Sequence, residues 1–200
     1  MANPIDFYFD YSSPYGYFAA MRIDDFAAKH GRSVNWKPIL LGAVFKVTGA
    51  QPLPTLPLKG DYAKCDIARS ARFHGIAFKY PSKFPIASQA PARAFYWLHD
   101  RDPVLAKRLA KTLYQAYFVD DRDISNPDVT AGVAATLGIK RDEVLVALND
   151  PAVKERLKNE VGAAIKLGVF GSPYIVIDGE PFWGVDRFDQ IERWLAHGPY

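Results

Sequence analysis

The chain opens on an apolar run that ends in a serine and a proline: Ile5-Asp6-Phe7-Tyr8-Phe9-Asp10-Tyr11-Ser12-Ser13-Pro14-Tyr15-Gly16. Residues 5–9 are rich in aromatic and β-branched side chains and read as a strand. Ser13 has the side chain of a good N-cap, and Pro14 lacks only an N–H that is an orphan at the first helical position, so a helix is predicted from residue 14. Gly31 terminates it as the C′ residue, and a second strand follows over 34–40, which completes a β-α-β unit. At the other end, 174–177 reads as a strand, Asp178-Gly179 as a hairpin turn and 180–183 as the returning strand. A last helix from about Asp186 carries Phe188, Ile191, Trp194 and Leu195 at helical spacing, a face that should pack on the sheet.

The stretch between has helical periodicity throughout, over 62–74, 87–99, 104–118, 128–137, 141–148 and 152–167. Gly75, Gly138 and Gly168 act as stops, and Asn126-Pro127 and Asp150-Pro151 pair a cap with a first-turn proline. Prolines 52, 54 and 57 make 48–60 an extended loop. The order β-α-β, helical block, β-β-α therefore predicts an α/β chain in which a sheet domain, 1–42 and 169–200, surrounds an all-helical insertion, 43–168.

Composition narrows the function classes. Two hundred residues with 49% hydrophobic content support a proper core. A net charge of +3 without a clustered Lys/Arg stripe argues against a nucleic-acid partner. No apolar run is long enough for a membrane span, and the start Met-Ala-Asn-Pro-Ile-Asp-Phe does not read as a signal peptide. The single Cys65 forms no internal disulfide, so the chain reads as cytoplasmic, and Cys65 itself reads as a small buried hydrophobe. The four histidines, 30, 74, 99 and 197, lie far apart, two of them at predicted helix C-terminal ends, and no metal-ligand spacing, phosphate loop or dinucleotide motif is present. No nucleophile-elbow sequence supports a Ser-His-Asp triad. Candidate chemistry narrows to Ser13, whose hydroxyl at a helix start suits an anion or a thiolate; a plain helix cap is the simpler reading of the same residue.

The element order, an edge proline at Ser172-Pro173 and a polar group at the first helix start follow the plan of thioredoxin-like proteins. Ser13-Pro14-Tyr15-Gly16 stands where that plan has a Cys-Pro-x-Cys dithiol, and the helical insertion matches its disulfide-oxidoreductase, DsbA-like branch. With both sulfurs replaced, the chain resembles the kappa-class glutathione transferases and the bacterial 2-hydroxychromene-2-carboxylate isomerases along essentially its whole length. Four stretches carry the resemblance: residues 6–15, 38–45 (PILLGAVF), 168–174 (GVFGSPY) and 182–187 (FWGVDR).

The resemblance implies glutathione as cofactor, a small aromatic acid as substrate and a homodimer. It implies that Ser13 faces the glutathione sulfur, that Tyr15 is among the residues that bind the cofactor, and that Ser172, before a cis Pro173, pairs its backbone with the tripeptide. Gly184, Val185 and Asp186 would receive the γ-glutamyl end, and Lys59 the glycine carboxylate. Where many relatives carry an asparagine after Thr-Gly, this chain has Ala50 and Gln51, so Gln51 is the candidate replacement. The segment 84–88 lacks the tyrosine expected of a naphthalene-pathway isomerase, and Arg69, Arg72 and Arg93 are candidate receivers of a substrate carboxylate. The reaction implied is isomerisation by addition and loss of the glutathione thiolate; a kappa-type transferase or peroxidase and a glutathione-binding module without turnover are the alternatives.

Overall fold

The computed structural model describes residues 3–199. Strand β1 (Ile5–Phe9) pairs in parallel with β2 (Val34–Pro38) and antiparallel with β3 (Tyr174–Ile177), which pairs antiparallel with β4 (Glu180–Trp183). The resulting order is β2-β1-β3-β4. The hairpin between β3 and β4 turns at Asp178 and Gly179, both at positive φ (51° and 92°), the primed geometry that matches strand twist.

Alternation along β1 sorts the two faces of the sheet. Ile5, Phe7 and Phe9 point into the main core, where Trp36 meets Phe7 and Phe9 edge-on. Tyr8 points the other way, into a smaller cluster with Ile39, Val44, Ala164, Val169 and Tyr174. The main core is continuous from the sheet into the helices, because Leu109, Leu113, Tyr114 and Phe118 belong to it together with the strand residues.

Helix α1 (Pro14–Ala20) is followed by α2 (Ile23–Lys29), α3 (Leu41–Thr48) and α4 (Lys59–His74). A helical block then runs through α5 (Gln89–His99), α6 (Pro103–Phe118), α7 (Pro127–Ala135), α8 (Arg141–Asn149) and α9 (Pro151–Lys166), and α10 (Phe188–His197) closes the fold. No helix among the described residues is long and apolar enough to cross a membrane.

Several expectations need correction. The single helix from 14 to Gly31 is two: the N–H of Arg22 donates to the carbonyl of Ala19, a tightened last turn, and the Arg22 guanidinium there lies over the Phe188 ring at 4.6 Å. Strand β2 stops at Pro38, and α3, for which the sequence offers no signal, begins at Leu41. Its N-cap Leu40 makes no side-chain cap; the Leu41 N–H is held instead by the carboxylate of Asp10. The proline loop contains a 3-10 turn, Leu53–Thr55, and α4 starts at Lys59 rather than 62. Helix α4 buries Gly60, Ala63, Ile67 and Ala71, so Cys65 falls on the opposite face and is exposed. Helix α10 is preceded by a 3-10 turn, Val185–Arg187, and Asp186 makes no capping bond with its side chain. All four histidines stand at helix C-terminal ends: His30 is the C-cap of α2, and His74, His99 and His197 are the last residues of α4, α5 and α10.

Candidate functional site

Ser13 is the N-cap of α1: its Oγ accepts the N–H of Gly16 at 3.0 Å, and Pro14 takes the first helical position. The hydroxyl donates to the backbone carbonyl of Ser172 at 2.9 Å, although the two residues lie 159 positions apart. Ser172-Pro173 is a cis peptide, and the carbonyl of Pro173 accepts the N–H of Gly184 at 3.1 Å. The turn at the end of β1, the cis-proline loop and the segment before α10 thus meet at one seam. Because α1 is only seven residues long, the hydroxyl of Ser13 rather than a helix dipole is the principal donor here.

Behind Ser13 stands Asp10, 2% exposed, a residue outside the candidate set above. Its backbone N–H donates to Ser172 Oγ at 2.9 Å, and its carbonyl accepts the N–H of Ser13 and the hydroxyl of Tyr114, each at 2.9 Å. Its carboxylate accepts three more bonds, from the N–H of Ser12 (2.7 Å), the N–H of Leu41 (2.6 Å) and the hydroxyl of Ser88 (3.0 Å). Burial raises the Asp10 carboxyl from its ordinary 3.8 to about 6, and those three bonds hold it from rising further. The sequence signal was available: one carboxylate at the end of an apolar strand, three residues before the cap.

Gly16, in place of a second thiol, is required by close packing. A Cβ there would lie 2.5 Å from Ser172 Oγ and 3.0 Å from the Tyr114 hydroxyl. The segment 84–88 is drawn to the same place, since Ile86 donates its N–H to Ser12 Oγ at 3.1 Å and Ser88 reaches Asp10. Phe84-Pro85 is also cis, a feature the sequence reading did not anticipate.

Of the other candidate residues, Tyr15 is half-buried and donates its hydroxyl to Asp66 of α4 at 2.6 Å; burial, then that carboxylate, push the phenol far up. Lys59 opens α4 seven residues before Asp66, hence on the same helix face about 10 Å away. It is exposed, as is Gln51, and neither side chain has a partner among the described residues. Val185 is buried and Asp186 exposed, paired with Arg187 at 3.3 Å. Arg69 is exposed and paired with Asp66 at 3.6 Å, Arg72 is exposed, and Arg93 donates to the Leu148 carbonyl within the helical block. Two surface grooves, of about 370 and 510 Å3, lie beside β4 and beside β2; neither is lined by Ser13 or Ser172. The seam is a line of polar groups in which one hydroxyl stands between a donor, the Gly16 N–H, and an acceptor, the Ser172 carbonyl.

Asp10 carries a pH dependence whose sign follows from its shift. The folded protein holds the proton more tightly than the unfolded chain, so the contribution of this group to stability is fully present below about pH 3.8 and lost as pH rises through about 6. The interval amounts to roughly 3 kcal/mol at about 1.36 kcal/mol per pH unit. Denaturant unfolding of the protein and of Asp10→Asn between pH 4 and 7 is expected to show that difference; parallel stability curves would refute it.

The family model of the DsbA-like thioredoxin domain matches residues 4–196. A curated relative from Caenorhabditis elegans, glutathione S-transferase kappa 2, is 29% identical over 96% of this chain and 91% of its own length. A 2-hydroxychromene-2-carboxylate isomerase from Pseudomonas putida is 29% identical over 94% and 92%. A solved structure of a 2-hydroxychromene-2-carboxylate isomerase superposes with a TM-score of 0.86 at 28% identity, covering 96% of this chain and 94% of that one. With the thioredoxin-like sheet, the cis-proline loop and a profile match over nearly the full length, the chain belongs to the DsbA-like thioredoxin domain family, among relatives named as 2-hydroxychromene-2-carboxylate isomerases and kappa-class glutathione transferases.

Proposed function

We propose that the protein is a glutathione-dependent isomerase, interconverting 2-hydroxychromene-2-carboxylate, or a related aromatic enone acid, and trans-o-hydroxybenzylidenepyruvate. The observation that carries the reading is the Ser13 hydroxyl at 2.9 Å from the carbonyl before a cis proline, on a chain whose relatives bear the isomerase name.

The residues present fit the tripeptide. The N–H of Ser172 makes no hydrogen bond to the described residues. Val185 and Asp186 begin a 3-10 turn, so their N–H groups have no acceptor within it. Asp186, paired with Arg187, offers an exposed carboxylate to an ammonium, and Lys59, without a partner among the described residues, an exposed ammonium to a carboxylate. Tyr15 and Gln51 are the remaining contacts we assign. When bound, glutathione supplies a sulfur nucleophile that adds to the conjugated carbon and leaves again unchanged. Ser13 holds that sulfur by donating its hydroxyl, which favours thiolate over thiol. To do so the hydroxyl turns from the Ser172 carbonyl, and that carbonyl becomes available to a backbone N–H of the ligand, as in pairing with an added strand.

Reduced glutathione is expected to raise the melting temperature in a concentration-dependent way. At one hundred times the dissociation constant the gain is about 2.7 kcal/mol, or roughly 5–10 °C for a chain of this size. S-methyl glutathione, which offers no thiolate, should give a smaller shift. No shift at millimolar glutathione sinks the cofactor assignment. A kappa-class transferase or peroxidase is the second reading, favoured by the kappa relative at the same 29% identity. A thiol assay run beside substrate conversion separates them: the isomerase leaves thiol constant, whereas the transferase consumes it mole for mole. Binding without conversion of any enone acid or electrophile would leave a glutathione-binding module.

A further inference from the structure

A buried carboxylate normally has a cation or is neutralised, because removing it from water costs several kcal/mol. Asp10 is buried, and among the described residues no lysine, arginine or histidine acts on it; the titratable groups that face it are the phenols of Tyr11, Tyr114 and Tyr117, all held neutral. Its two carboxyl oxygens instead receive three donors from three places: Ser12 in the turn before α1, Leu41 at the start of α3, and Ser88 before α5. Its main chain meanwhile holds Ser13, Ser172 and Tyr114. One residue thus ties the turn that carries Ser13 to the start of α3, the entry of α5, Tyr114 of α6 and the cis-proline loop.

We propose that Asp10 is a positioning residue: its ionised carboxylate sets the placement of Ser13 and Ser172, and adding a proton to it loosens both. A protonated carboxyl presents an O–H where it now accepts, and the donor geometry allows only the hydroxyl of Ser88 to reverse its role. The N–H groups of Ser12 and Leu41 cannot reverse. Protonation therefore relieves the burial of charge, which favours the fold as a whole, while it weakens the local hold on the turn and on α3 together, and the turn carries Ser13. Where the carboxyl titrates, near pH 6, the site itself should titrate with it. The consequence for thiolate activation rests on the glutathione reading above; the coupling of Asp10 to Ser13 and Ser172 does not.

The test is a pH titration by NMR of the labelled protein, without added ligand, from pH 4.5 to 8. The Asp10 carboxyl carbon and the amide signals of Ser13, Gly16, Leu41 and Ser172 are expected to move with one midpoint. Ser88→Ala removes a donor to the charged form and should raise that shared midpoint by about one pH unit. Amides of Ser13 and Ser172 that ignore the Asp10 midpoint, or a midpoint that Ser88→Ala leaves in place, overturn the proposal. A second arm reads function. In Ser88→Ala the acid limb of kcat/KM should move up with the NMR midpoint. In Asp10→Asn, checked for a normal melting transition, kcat should fall at least tenfold with a smaller change in glutathione affinity. An acid limb that stays put while the NMR midpoint moves also counts against the proposal. If the unsubstituted protein binds no glutathione in calorimetry, the glutathione reading fails, while the NMR arm still decides the role of Asp10.

Discussion

Ser13→Ala is expected to lower turnover by roughly 10^2- to 10^3-fold, the usual consequence of removing one preorganised donor from a developing or resident negative charge. The variant also loses a helix cap, because Ser13 Oγ accepts the Gly16 N–H, but that costs only about 1 kcal/mol of stability. The two effects are separable by magnitude. Glutathione affinity should change less than turnover, since the Ser172 backbone and the 185–186 N–H groups remain. The thiol of bound glutathione, followed by thiolate absorbance, should titrate at higher pH in the variant. Steady-state kinetics beside a melting curve decide the matter: a variant with full turnover and an unchanged thiol titration would reduce Ser13 to a helix cap.

Gly16→Ala should be nearly as damaging, through packing alone. The new Cβ would stand 2.5 Å from Ser172 Oγ, 3.0 Å from the Tyr114 hydroxyl and 3.2 Å from Ser13 Cβ. None of these three is the loose end of a long side chain: Ser172 is held by Asp10, Tyr114 by the Asp10 carbonyl, and Ser13 by its own turn. Overpacking of this kind costs about 1–3 kcal/mol, against a gain of up to about 1 kcal/mol from alanine in a helix. The melting temperature should fall by a few degrees, and glutathione binding should weaken at least tenfold as Ser172 is displaced. The same clash means that Ser13→Cys with Gly16→Cys will not turn this chain into a dithiol oxidoreductase. A stable Gly16→Ala protein with unaltered glutathione affinity would show that the Ser172 loop yields freely.

Features governed by residues within a few positions of one another were legible in the chain. Strand β1 was read at its observed bounds because its aromatic and β-branched side chains need no distant partner to announce themselves. The hairpin at Asp178-Gly179 and the helix starts at Asn126-Pro127 and Asp150-Pro151 were equally plain, since cap, proline and turn act on their own backbone. The capping role of Ser13 was legible in the residue types themselves, and the cis peptide at Ser172-Pro173 in the resemblance. What did not follow was whatever depends on a partner far along the chain. Helix α3 went unread because the group that holds its first N–H is 31 residues away. Arg22, where the first helix breaks, packs on Phe188 from the far end of the chain, and the exposure of Cys65 was not legible because a helix periodicity without its neighbours does not say which face is covered.

The hub at Asp10 is the extreme case. Its bonds to Ser88, Tyr114 and Ser172 span 78, 104 and 162 positions. The amino-acid sequence by itself determined the strands, most of the helices, the capping serine and the loss of both thiols. The tertiary structure decided that a carboxylate without a cation lies beneath that serine, and that a glycine makes room for a second hydroxyl there. The physical reason is range: propensity, capping and turn geometry act over one to four residues, whereas burial and hydrogen-bond satisfaction depend on which segments the closed core brings together.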